Sequence, residues 1–314
     1  MRVLVTGGAG FIGSNFIKYV LDTCGEQVAS LLNVDCLSYA SNEKNCSSFK
    51  LYPKYCFRHL DITSMPQVTD VFRRYQPTHV VHFAAETHVD NSIKNSSPFI
   101  DTNITGTNNL LRAATRNKVE RFHHISTDEV YGSLGDKGKF KETTPYDPRN
   151  PYSASKAASD HLVRASYHTF GLPITISNCS NNYGPNQHKE KFIPTILTSL
   201  LKGKKIPVYG KGSNVRDWIY VEDHCDGIWK ILTKGTVGET YNVGATCEKT
   251  NLEVIEAVCN ALNIDFSTSI EFVKDRLGHD FRYAIDASKM RSKLSWKPSH
   301  TFKRGLLKTI AHYA

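Results

Sequence analysis

The feature that most constrains this chain is a repeated pairing of a short apolar segment with a longer segment of helical periodicity. The pairs are residues 2–6 with 11–22, 78–85 with 99–117, and 119–126 with 152–170. A further apolar run follows at Pro173–Ser180. Strands that alternate with helices in this way predict an α/β fold, in which helices cover both faces of a parallel sheet.

The pattern changes after about residue 180, where Gly and Pro interrupt it in NNYGPNQ and GKKIPVYGKGSN. We therefore predict a Rossmann-type doubly wound parallel sheet, which binds the cofactor, in residues 1–180. Residues 181–314 are expected to form a smaller C-terminal substrate-binding region, with some segments returning to the sheet. No flexible linker separates the two parts, so we expect the second to close over a shared site.

Charge and cysteine content exclude several classes of function. The chain has 39 Lys and Arg against 30 Asp and Glu, a formal net charge of +9, but no run of basic residues forms an arm or a stripe. We therefore expect no nucleic-acid or membrane partner, although nucleotide phosphates would suit a basic protein. The eight cysteines show no CxxC spacing, which argues against a metal site.

The first residues and the length of the apolar runs indicate in which cell compartment the protein is expected. The chain starts directly with the strand RVLVT, and no stretch approaches the roughly 18 apolar residues that a membrane span requires. We therefore expect a cytoplasmic protein whose cysteines are mostly small core side chains.

The segment TGGAGFIG places Gly7, Gly10 and Gly13 between the first strand and the first helix. Glycines at this position allow a tight turn, close approach of a pyrophosphate and close helix–strand packing. Asp35 ends the next strand, where a carboxylate can accept hydrogen bonds from a ribose and would repel a 2′-phosphate. Because Cys36 follows and no Arg is present to hold such a phosphate, NAD is favoured over NADP.

The segment YSASK places Tyr152 and Lys156 four residues apart, on one face of a helix. A free phenol is a poor base at neutral pH, but a nearby ammonium and a nicotinamide cation would favour the phenolate. Tyr152 can then take a proton from a sugar hydroxyl while hydride leaves its carbon. Ser126 or Thr127, at the end of a neighbouring strand, can hydrogen-bond the same oxygen.

Two adjacent carboxylates, Asp128 and Glu129, follow that strand in HHISTDEVYG. Such a pair can be a solvated turn, a helix cap, or an acid and a base that face one substrate. The residues alone leave these alternatives open, but the neighbouring Tyr152 and Lys156 favour catalysis.

These motifs carry a resemblance that covers the chain from Arg2 to its last helix. TGGAGFIG, STDEVYG and YSASK resemble those of extended short-chain dehydrogenase/reductases that act on nucleotide sugars. The segments AAETHVDNSI, PYSASKAASDHLVRA, NCSNNYGP, EKFIP, GKGSNVRDWIYVEDH and DRLGHDFRYAID are similar, within that superfamily, to the dTDP-glucose 4,6-dehydratase family.

The resemblance implies an NAD-dependent lyase that recycles its tightly bound cofactor. C4 of the glucose is oxidised, the C6 hydroxyl leaves with the C5 proton as water, and hydride returns to C6. Asp128 is then the acid and Glu129 the base, and Thr127 is also catalytic. Asp128 would need a pKa raised by burial and by its like-charged neighbour. We expect the two side chains to diverge because adjacent residues of an extended segment point in different directions.

The resemblance also implies the binding residues. Those for the cofactor, besides Gly7, Gly10, Gly13, Asp35, Tyr152 and Lys156, are Phe11, Ile12, Asp61, Ile62, Ala84, Ala85, Asn103, Ser126 and Asn178. Those for the substrate are His88, Thr127, Asn181, Glu190, Lys191, Phe192, Tyr209, Arg216, Asn251, Arg276 and His279. Planar guanidinium groups suit bidentate contact with the diphosphate.

Some alternatives stay open in the sequence. Asn91 and Leu277 differ from the residues common in the family, so the substrate is either dTDP-glucose or UDP-glucose. A nucleotide-sugar epimerase or decarboxylase of the same superfamily, or a non-catalytic NAD-binding sensor, is the competing interpretation of the fold. The resemblance implies a homodimer paired through segments Asn108–Lys118 and Ala154–Tyr167.

Overall fold

The structure is a computed structural model that describes residues 1–275 and 280–313. Its strands are β1 Arg2–Thr6, β2 Ser30–Asp35, β3 Tyr55–His59, β4 His79–His82, β5 Arg121–Thr127, β6 Ile174–Cys179, β7 Asn181–Tyr183, β8 Ile206–Tyr209, β9 Val215–Tyr220, β10 Thr240–Val243, β11 Glu248–Thr250 and β12 Ile270–Val273.

The α-helices alternate with the strands through most of the chain. They are α1 Phe11–Thr23, α2 Met65–Tyr75, α3 Val89–Lys94, α4 Ser97–Phe99, α5 Thr107–Arg116, α6 Pro151–Phe170, α7 Phe192–Leu201, α8 Val221–Lys234, α9 Asn251–Leu262, α10 Phe266–Ser269, α11 Ser288–Leu294 and α12 Phe302–Tyr313. Three 3₁₀ segments, Gly25–Gln27, Glu43–Leu51 and Asp128–Tyr131, and one π-helix, Ile100–Gly106, complete the helical elements of the described ranges.

Seven strands form the central sheet, in the order β10-β6-β5-β4-β1-β2-β3. Every neighbouring pair in this sheet is parallel. The predicted Rossmann-type doubly wound fold is therefore confirmed. The chain order reverses between β1 and β4, and the crevice beyond the carboxyl ends of strands at such a point is where ligands bind in this architecture.

Alternation along β1 explains how the two faces of the sheet are covered. Val3 and Val5 pack with α1 and α8 on one face, whereas Leu4 packs with α2 and α5 on the other. Successive side chains of a strand point to opposite faces, so an uninterrupted apolar run becomes buried on both. The packing on both faces of the sheet fixes the ends of β1, β4 and β5 relative to one another.

The chain after residue 180 is divided between the central sheet and a smaller lobe. Strand β10 pairs with β6, with Thr240 opposite Ile176, and α8 packs against α1. The remaining strands form a sheet of three, β11-β9-β7, and a pair, β12-β8. Helices α7, α9 and α12 cover these small sheets in one apolar cluster. The lobe is therefore attached directly to the sheet edge that carries β5 and β6.

Two elements are shorter than the sequence predicted. The strand expected over Thr78–Ala85 is β4, which ends at His82. It ends there because the amide of Ala84 donates to the Thr6 hydroxyl at 3.2 Å, and the chain then passes over Gly7. The helix expected over residues 99–117 is divided between α4, the π-helix and α5. The π-helix contains Asn103, whose side chain turns inward to the loop after β4.

No helix within residues 1–275 and 280–313 combines the length and apolar character needed to cross a membrane.

Candidate active site

The turn between β1 and α1 allows neighbouring backbone segments to approach it closely. Gly7 has φ +72°, and a Cβ placed there would lie 2.6 Å from the Ala84 nitrogen. A Cβ on Gly13 would lie 2.3 Å from the Gly7 carbonyl oxygen. Helix α1 begins after Gly10 with neither a capping side chain nor an acidic residue in its first turn. Its amino-terminal N–H groups and positive dipole end are thus directed at the crevice and suit a phosphate anion.

Asp35 holds the walls of this crevice together. One carboxylate oxygen accepts from the Ala9 amide at 2.9 Å. The other accepts from the Leu37 amide at 2.8 Å and from the Ser41 hydroxyl at 2.9 Å. A carboxylate has about four acceptor positions, so at least one is left for a ligand hydroxyl. Asp35 therefore orders the glycine turn as well as lining the crevice.

A cavity of about 510 Å³ lies along these carboxyl ends. Most of the predicted cofactor and catalytic residues line it, namely Gly7, Gly10, Phe11, Ile12, Gly13, Asp35, Asp61, Ile62, Ala84, Ala85, Ser126, Thr127, Asp128, Glu129, Tyr152 and Lys156. We call it the cofactor cavity. Segments far apart in the chain meet here because parallel strands end at one edge of the sheet.

Asn103 and Asn178 were predicted to bind the cofactor, but the structure places both outside the lining of this cavity. The Asn103 amide oxygen accepts from Glu86 N–H at 2.8 Å, and its nitrogen donates to the Glu86 carbonyl at 3.0 Å and to the Ser155 hydroxyl at 2.8 Å. The Asn178 amide nitrogen donates to the Thr127 carbonyl at 3.2 Å. Asn103 therefore supports a cavity wall. The Asn178 amide oxygen is buried and accepts no hydrogen bond within the described residues, so its contact with the cofactor stays a prediction.

A second cavity, of about 620 Å³, adjoins the first and is called the substrate cavity here. The predicted substrate residues His88, Phe192, Tyr209, Arg216 and Asn251 line it, and Glu129, Asn181, Glu190 and Lys191 line both cavities. Arg276 and His279 lie outside the described residues.

Three residues that the sequence did not single out, Thr87, Asn182 and Gln187, also line both cavities. The Asn182 amide oxygen contacts His224 Nδ1 at 2.8 Å, and the Gln187 amide donates to the Asn182 carbonyl at 2.9 Å. Thr87 accepts from the Lys191 ammonium at 3.0 Å through its carbonyl. The polar segment NNYGPNQHKEKF was the available signal, since Asn181 and Glu190 were already chosen from it.

Asp128 and Glu129 lie in the first turn of a 3₁₀ helix, not in an extended segment as predicted. The Thr127 hydroxyl accepts from the Glu129 amide at 3.2 Å and caps this turn. Adjacent residues of a 3₁₀ helix are separated by about 120° around its axis, so the two side chains still diverge. Asp128 is 2% exposed and lines the cofactor cavity, whereas Glu129 is partly exposed and lines both cavities.

Burial keeps both acids from ionising readily. It raises the pKa of Asp128 well above the ordinary value, and the charges of Glu129 and Asp217 raise it further. Burial also raises the pKa of Glu129, although Arg216 and Lys191 oppose the increase. The predicted rise for Asp128 and its two causes are confirmed. A carboxyl that stays protonated at neutral pH can donate a proton to a leaving hydroxyl.

Burial of Tyr152 works against the phenolate, which the sequence predicts only with a nearby ammonium and a nicotinamide cation together. Burial raises its pKa well above the ordinary value, and Glu129 adds to the increase, while the Thr127 hydroxyl opposes it. The Lys156 ammonium donates to the Ile125 carbonyl at 2.8 Å. The chain's own residues therefore favour the neutral phenol, because burial is the largest influence on its pKa.

The choice between Ser126 and Thr127 as a donor to a reacting oxygen is decided by Asp160. The Ser126 hydroxyl donates to the Asp160 carboxylate at 2.8 Å, which leaves Ser126 able only to accept. The Thr127 hydroxyl accepts from the Glu129 amide, and its contact as a donor to the Asp128 carboxyl oxygen is long, 3.4 Å. Thr127 is thus the hydroxyl available to donate beside Tyr152.

Within the described residues, no group of three or more His, Cys, Asp or Glu side chains is placed to hold a metal ion. The polar groups of the two cavities are hydroxyls, carboxyls, amides and cations. This arrangement suits proton transfer and the binding of phosphates.

Known proteins resemble the whole chain. The family model described as GDP-mannose 4,6 dehydratase matches residues 4–309. The dTDP-glucose 4,6-dehydratase of Haemophilus influenzae is 46% identical over 100% of this chain and 98% of its own length. The crystal structure of DesIV, a dTDP-glucose 4,6-dehydratase from Streptomyces venezuelae with NAD bound, covers 100% of this chain and 97% of its own, at 44% identity and a TM-score of 0.96.

A solved structure with a different activity also shares the fold. The UDP-glucose 4-epimerase of Thermus thermophilus, in complex with NAD, is 30% identical and has a TM-score of 0.90. It covers 100% of this chain and 99% of its own. The fold alone thus accommodates more than one reaction on nucleotide sugars, and the side chains at the strand ends must distinguish them.

The raised pKa of Asp128 predicts how stability varies with pH. In the unfolded chain an aspartate ionises near pH 4. The folded state then loses stability as pH rises from that value through the folded pKa, because only the unfolded state releases the proton freely. Since asparagine cannot ionise, Asp128→Asn should raise the melting temperature by a few degrees at pH 8 and by less at pH 5. Thermal unfolding at several pH values measures this difference.

Asp136→Asn is the control, because Asp136 is exposed and should show no such trend. A melting-temperature difference between Asp128→Asn and the unmodified chain that stays constant from pH 5 to pH 8 would contradict the expected titration.

Proposed function

This chain belongs to the dTDP-glucose 4,6-dehydratase family, and from that premise we propose how its residues convert dTDP-glucose to the 4-keto-6-deoxy nucleotide sugar. It is an NAD-dependent hydro-lyase. The observation that carries the proposal is the position of two acids near Tyr152: Asp128 lines the cofactor cavity, and Glu129 lies where the two cavities meet. Loss of water needs an acid and a base in addition to the group that oxidises the sugar.

The cofactor cavity has features that fit NAD. The uncapped start of α1 can hold the pyrophosphate, and the remaining acceptor position of Asp35 can receive a ribose hydroxyl. The phosphates can approach the backbone at Gly10, which has no side chain. The space beside it is open, since a Cβ there would meet only the Gly7 carbonyl oxygen, at 3.3 Å. Bound NAD accepts hydride from C4 and later returns it to C6, so the turnover consumes no external oxidant.

Oxidation at C4 requires a proton to leave the C4 hydroxyl. We assign its removal to Tyr152, with Thr127 donating a hydrogen bond to the same oxygen. Because burial raises the pKa of the phenol, a nearby positive charge is needed to make Tyr152 an effective base. Lys156, one helical turn along α6, and the bound nicotinamide ring supply that charge together.

Elimination then follows because a C4 ketone makes the C5 proton removable. Glu129, which is partly exposed to both cavities, takes the C5 proton, and Asp128 donates its proton to the departing C6 hydroxyl to form water. The protonated state of Asp128 suits this step, since its pKa is raised well above the ordinary value. Transfer of hydride to C6 and of a proton to C5 completes the 4-keto-6-deoxy product.

The substrate cavity provides cations for the diphosphate. Arg216 stacks over the ring of Tyr283, with 4.3 Å from its guanidinium carbon to the ring centre, and donates to the Asp280 carbonyl at 3.0 Å. These contacts fix the guanidinium plane at the cavity wall, where it can contact phosphate oxygens. Lys191 adds a second cation, since it lines both cavities.

A nucleotide-sugar epimerase on the same fold is the competing function. Epimerisation needs oxidation and reduction at C4 but neither an acid for a leaving hydroxyl nor a base for a carbon proton. Two buried carboxyls with raised pKa values would have no use in such a reaction, and their burial is costly. A non-catalytic NAD sensor is disfavoured for the same reason.

The first test is incubation of the purified chain with dTDP-glucose and, in parallel, UDP-glucose, without added reductant. We expect mass spectrometry to show loss of one water from dTDP-glucose. UDP lacks the thymine methyl group, which is worth about 1–3 kcal/mol in an apolar pocket, and carries a ribose 2′-hydroxyl that dTDP does not have, so slower loss from UDP-glucose is also expected. An unchanged mass accompanied by a new isomer on chromatography would establish an epimerase instead.

Asp128→Asn should separate oxidation from elimination. The amide cannot donate a carboxylic proton, so kcat for water loss should fall by about 10²–10⁴-fold. Oxidation at C4 should continue, and the absorbance of the reduced cofactor should therefore accumulate with substrate. Asp136→Asn, at an exposed position, should retain full turnover. Normal water loss by Asp128→Asn would refute the assigned role.

The free thiols of the eight cysteines agree with a reducing compartment. We accordingly place the reaction in the cytoplasm.

A homodimer is also part of the proposal, paired through α5 and α6 within segments Asn108–Lys118 and Ala154–Tyr167. Helix α6 carries an uncovered stripe at helical spacing that consists of Ala154, Ala158, His161, Ala165 and His168. Small side chains in such a stripe allow two helices to approach closely. Helix α5 lies beside it, with Arg112 and Arg116 exposed.

Ala165→Glu should convert the dimer to a monomer, because it introduces a charge into the centre of this face. Light scattering coupled to size-exclusion chromatography measures the mass. Ala311→Glu, at an exposed alanine of α12, is the matched control and should leave the dimer intact. An unmodified chain that elutes as a monomer at micromolar concentration would contradict the dimer.

A further inference from the structure

A network of buried polar groups lies between helix α6 and β5, and of its members only Lys156 has a part in the reaction steps above. Lys156 is 5% exposed and Asp160 is 0% exposed, one helical turn apart on α6. His124 of β5, also fully buried, lies between them. Its Nε2 is 3.4 Å from the Lys156 ammonium and 3.2 Å from an Asp160 carboxylate oxygen. The buried Lys156 ammonium and the buried Asp160 carboxylate are therefore separated by a single imidazole ring.

The charges of this network balance when Lys156 and Asp160 are both ionised, and each group favours the ionised form of the other. Burial lowers the pKa of Lys156, and the Asp160 carboxylate opposes that decrease. Burial likewise disfavours ionised Asp160, but His124, Lys156 and Ser126 outweigh it and lower the carboxyl pKa. Burial and the charge of Lys156 lower the pKa of His124 to about 4, so this ring is neutral at pH 7.

Asp160 is also connected to the cavity wall. Its second carboxylate oxygen accepts from the Ser126 hydroxyl at 2.8 Å and from the Tyr146 hydroxyl at 2.8 Å. Tyr146 in turn accepts from Arg164 at 2.7 Å. Ser126 lines the cofactor cavity immediately before Thr127, so the carboxylate fixes the hydroxyl that would otherwise compete with Thr127 as a donor.

We propose that Asp160 is a positioning residue for the dehydratase reaction, acting as the internal counter-ion that keeps the Lys156 ammonium charged and the Ser126 hydroxyl turned away from the reacting oxygen. Without it the lysine would be a buried cation whose nearest contacts are a carbonyl and a neutral ring. An uncompensated buried charge is strongly destabilising, and it is relieved by loss of the proton. The inference rests on the proposed function, because it explains how that function keeps a cation beside Tyr152.

Other ionisable groups surround the pair and enter any pH dependence. Those that face it are His82 of β4, whose ring centre is 5.2 Å from that of His124, together with Tyr131, Tyr146, Arg164 and Cys179. His82 is neutral, since burial lowers its pKa well below the ordinary value. Arg164 is directed at the Tyr146 hydroxyl and Tyr146 at Asp160. Asp160 is the carboxylate whose charge raises the pKa of Lys156.

A double-mutant cycle on stability tests the counter-ion without relying on activity. Lys156→Met leaves Asp160 buried and unpaired, and Asp160→Asn leaves Lys156 in the same state. Both single variants should melt lower than the unmodified chain, and the double variant should recover at least half of the larger loss. If Asp160→Asn does not fold, the double variant should still melt higher than Lys156→Met alone. If the decreases in melting temperature of the two single variants simply add in the double variant, the proposed ion pair is overturned.

The pH dependence of turnover tests the positioning role. Asp160→Asn lowers the pKa of Lys156 further, so the ammonium is lost at a lower pH. The ratio of its kcat to that of the unmodified chain should therefore decrease as pH rises from 6 to 9, with little change in KM for dTDP-glucose. NAD affinity, measured by calorimetry on the cofactor-free chain, should weaken over the same range if Lys156 contacts the cofactor. An unchanged pH profile would overturn the role.

Asp223→Asn is the matched control. Asp223 is buried to a similar degree, 4% exposed, and accepts from Ser299 and His300 away from both cavities. Its replacement should lower the melting temperature but leave the pH profile unchanged. If no nucleotide glucose loses water, the stability cycle still reports on the ion pair, so failure of the proposed function and failure of this inference are distinguishable.

Discussion

The turn between β1 and α1 is the constraint on which the rest of the site depends. Gly7 has a positive φ and lies against the backbone of Ala84, so the chain after β4 can pass directly over it. Gly13 packs on the Gly7 carbonyl, and Asp35 accepts from the Ala9 amide. Three elements are thereby held within van der Waals contact of one turn. A side chain at Gly7 or Gly13 would separate them and open the cofactor cavity.

Desolvation decides the chemistry that this frame can support. Asp128, Glu129 and Tyr152 all have raised pKa values, and burial is the largest cause for each. The site thus holds proton donors ready for use and depends on the cations around it, Lys156 and Arg216, to make an acceptor when one is needed. Exposure to water would return these pKa values to their ordinary range, because exposed carboxyls ionise near pH 4 and exposed phenols near pH 10.

The same acids explain why the fold alone does not define the reaction. A 4-epimerase at 30% identity shares the architecture almost completely. In this chain β5 is followed by a short 3₁₀ turn, in which the Thr127 hydroxyl caps the helix and the next two residues are acids. The three interpretations of that segment were a solvated turn, a cap, or a catalytic pair. The acids are not the cap, since Thr127 caps the turn, and they line the cavities as the catalytic interpretation requires.

Sequence by itself determined the alternation of strands and helices, the glycine turn, Asp35 and the identity of the acids and the Tyr152–Lys156 pair. These follow from local periodicity and from residue types whose chemistry has few substitutes. Tertiary structure alone decided that Asn103 supports a cavity wall, that Ser126 is occupied by Asp160, and that burial raises the pKa of the Tyr152 phenol. The physical reason is that hydrogen-bond partners and burial depend on residues distant in the chain, which spacing does not reveal.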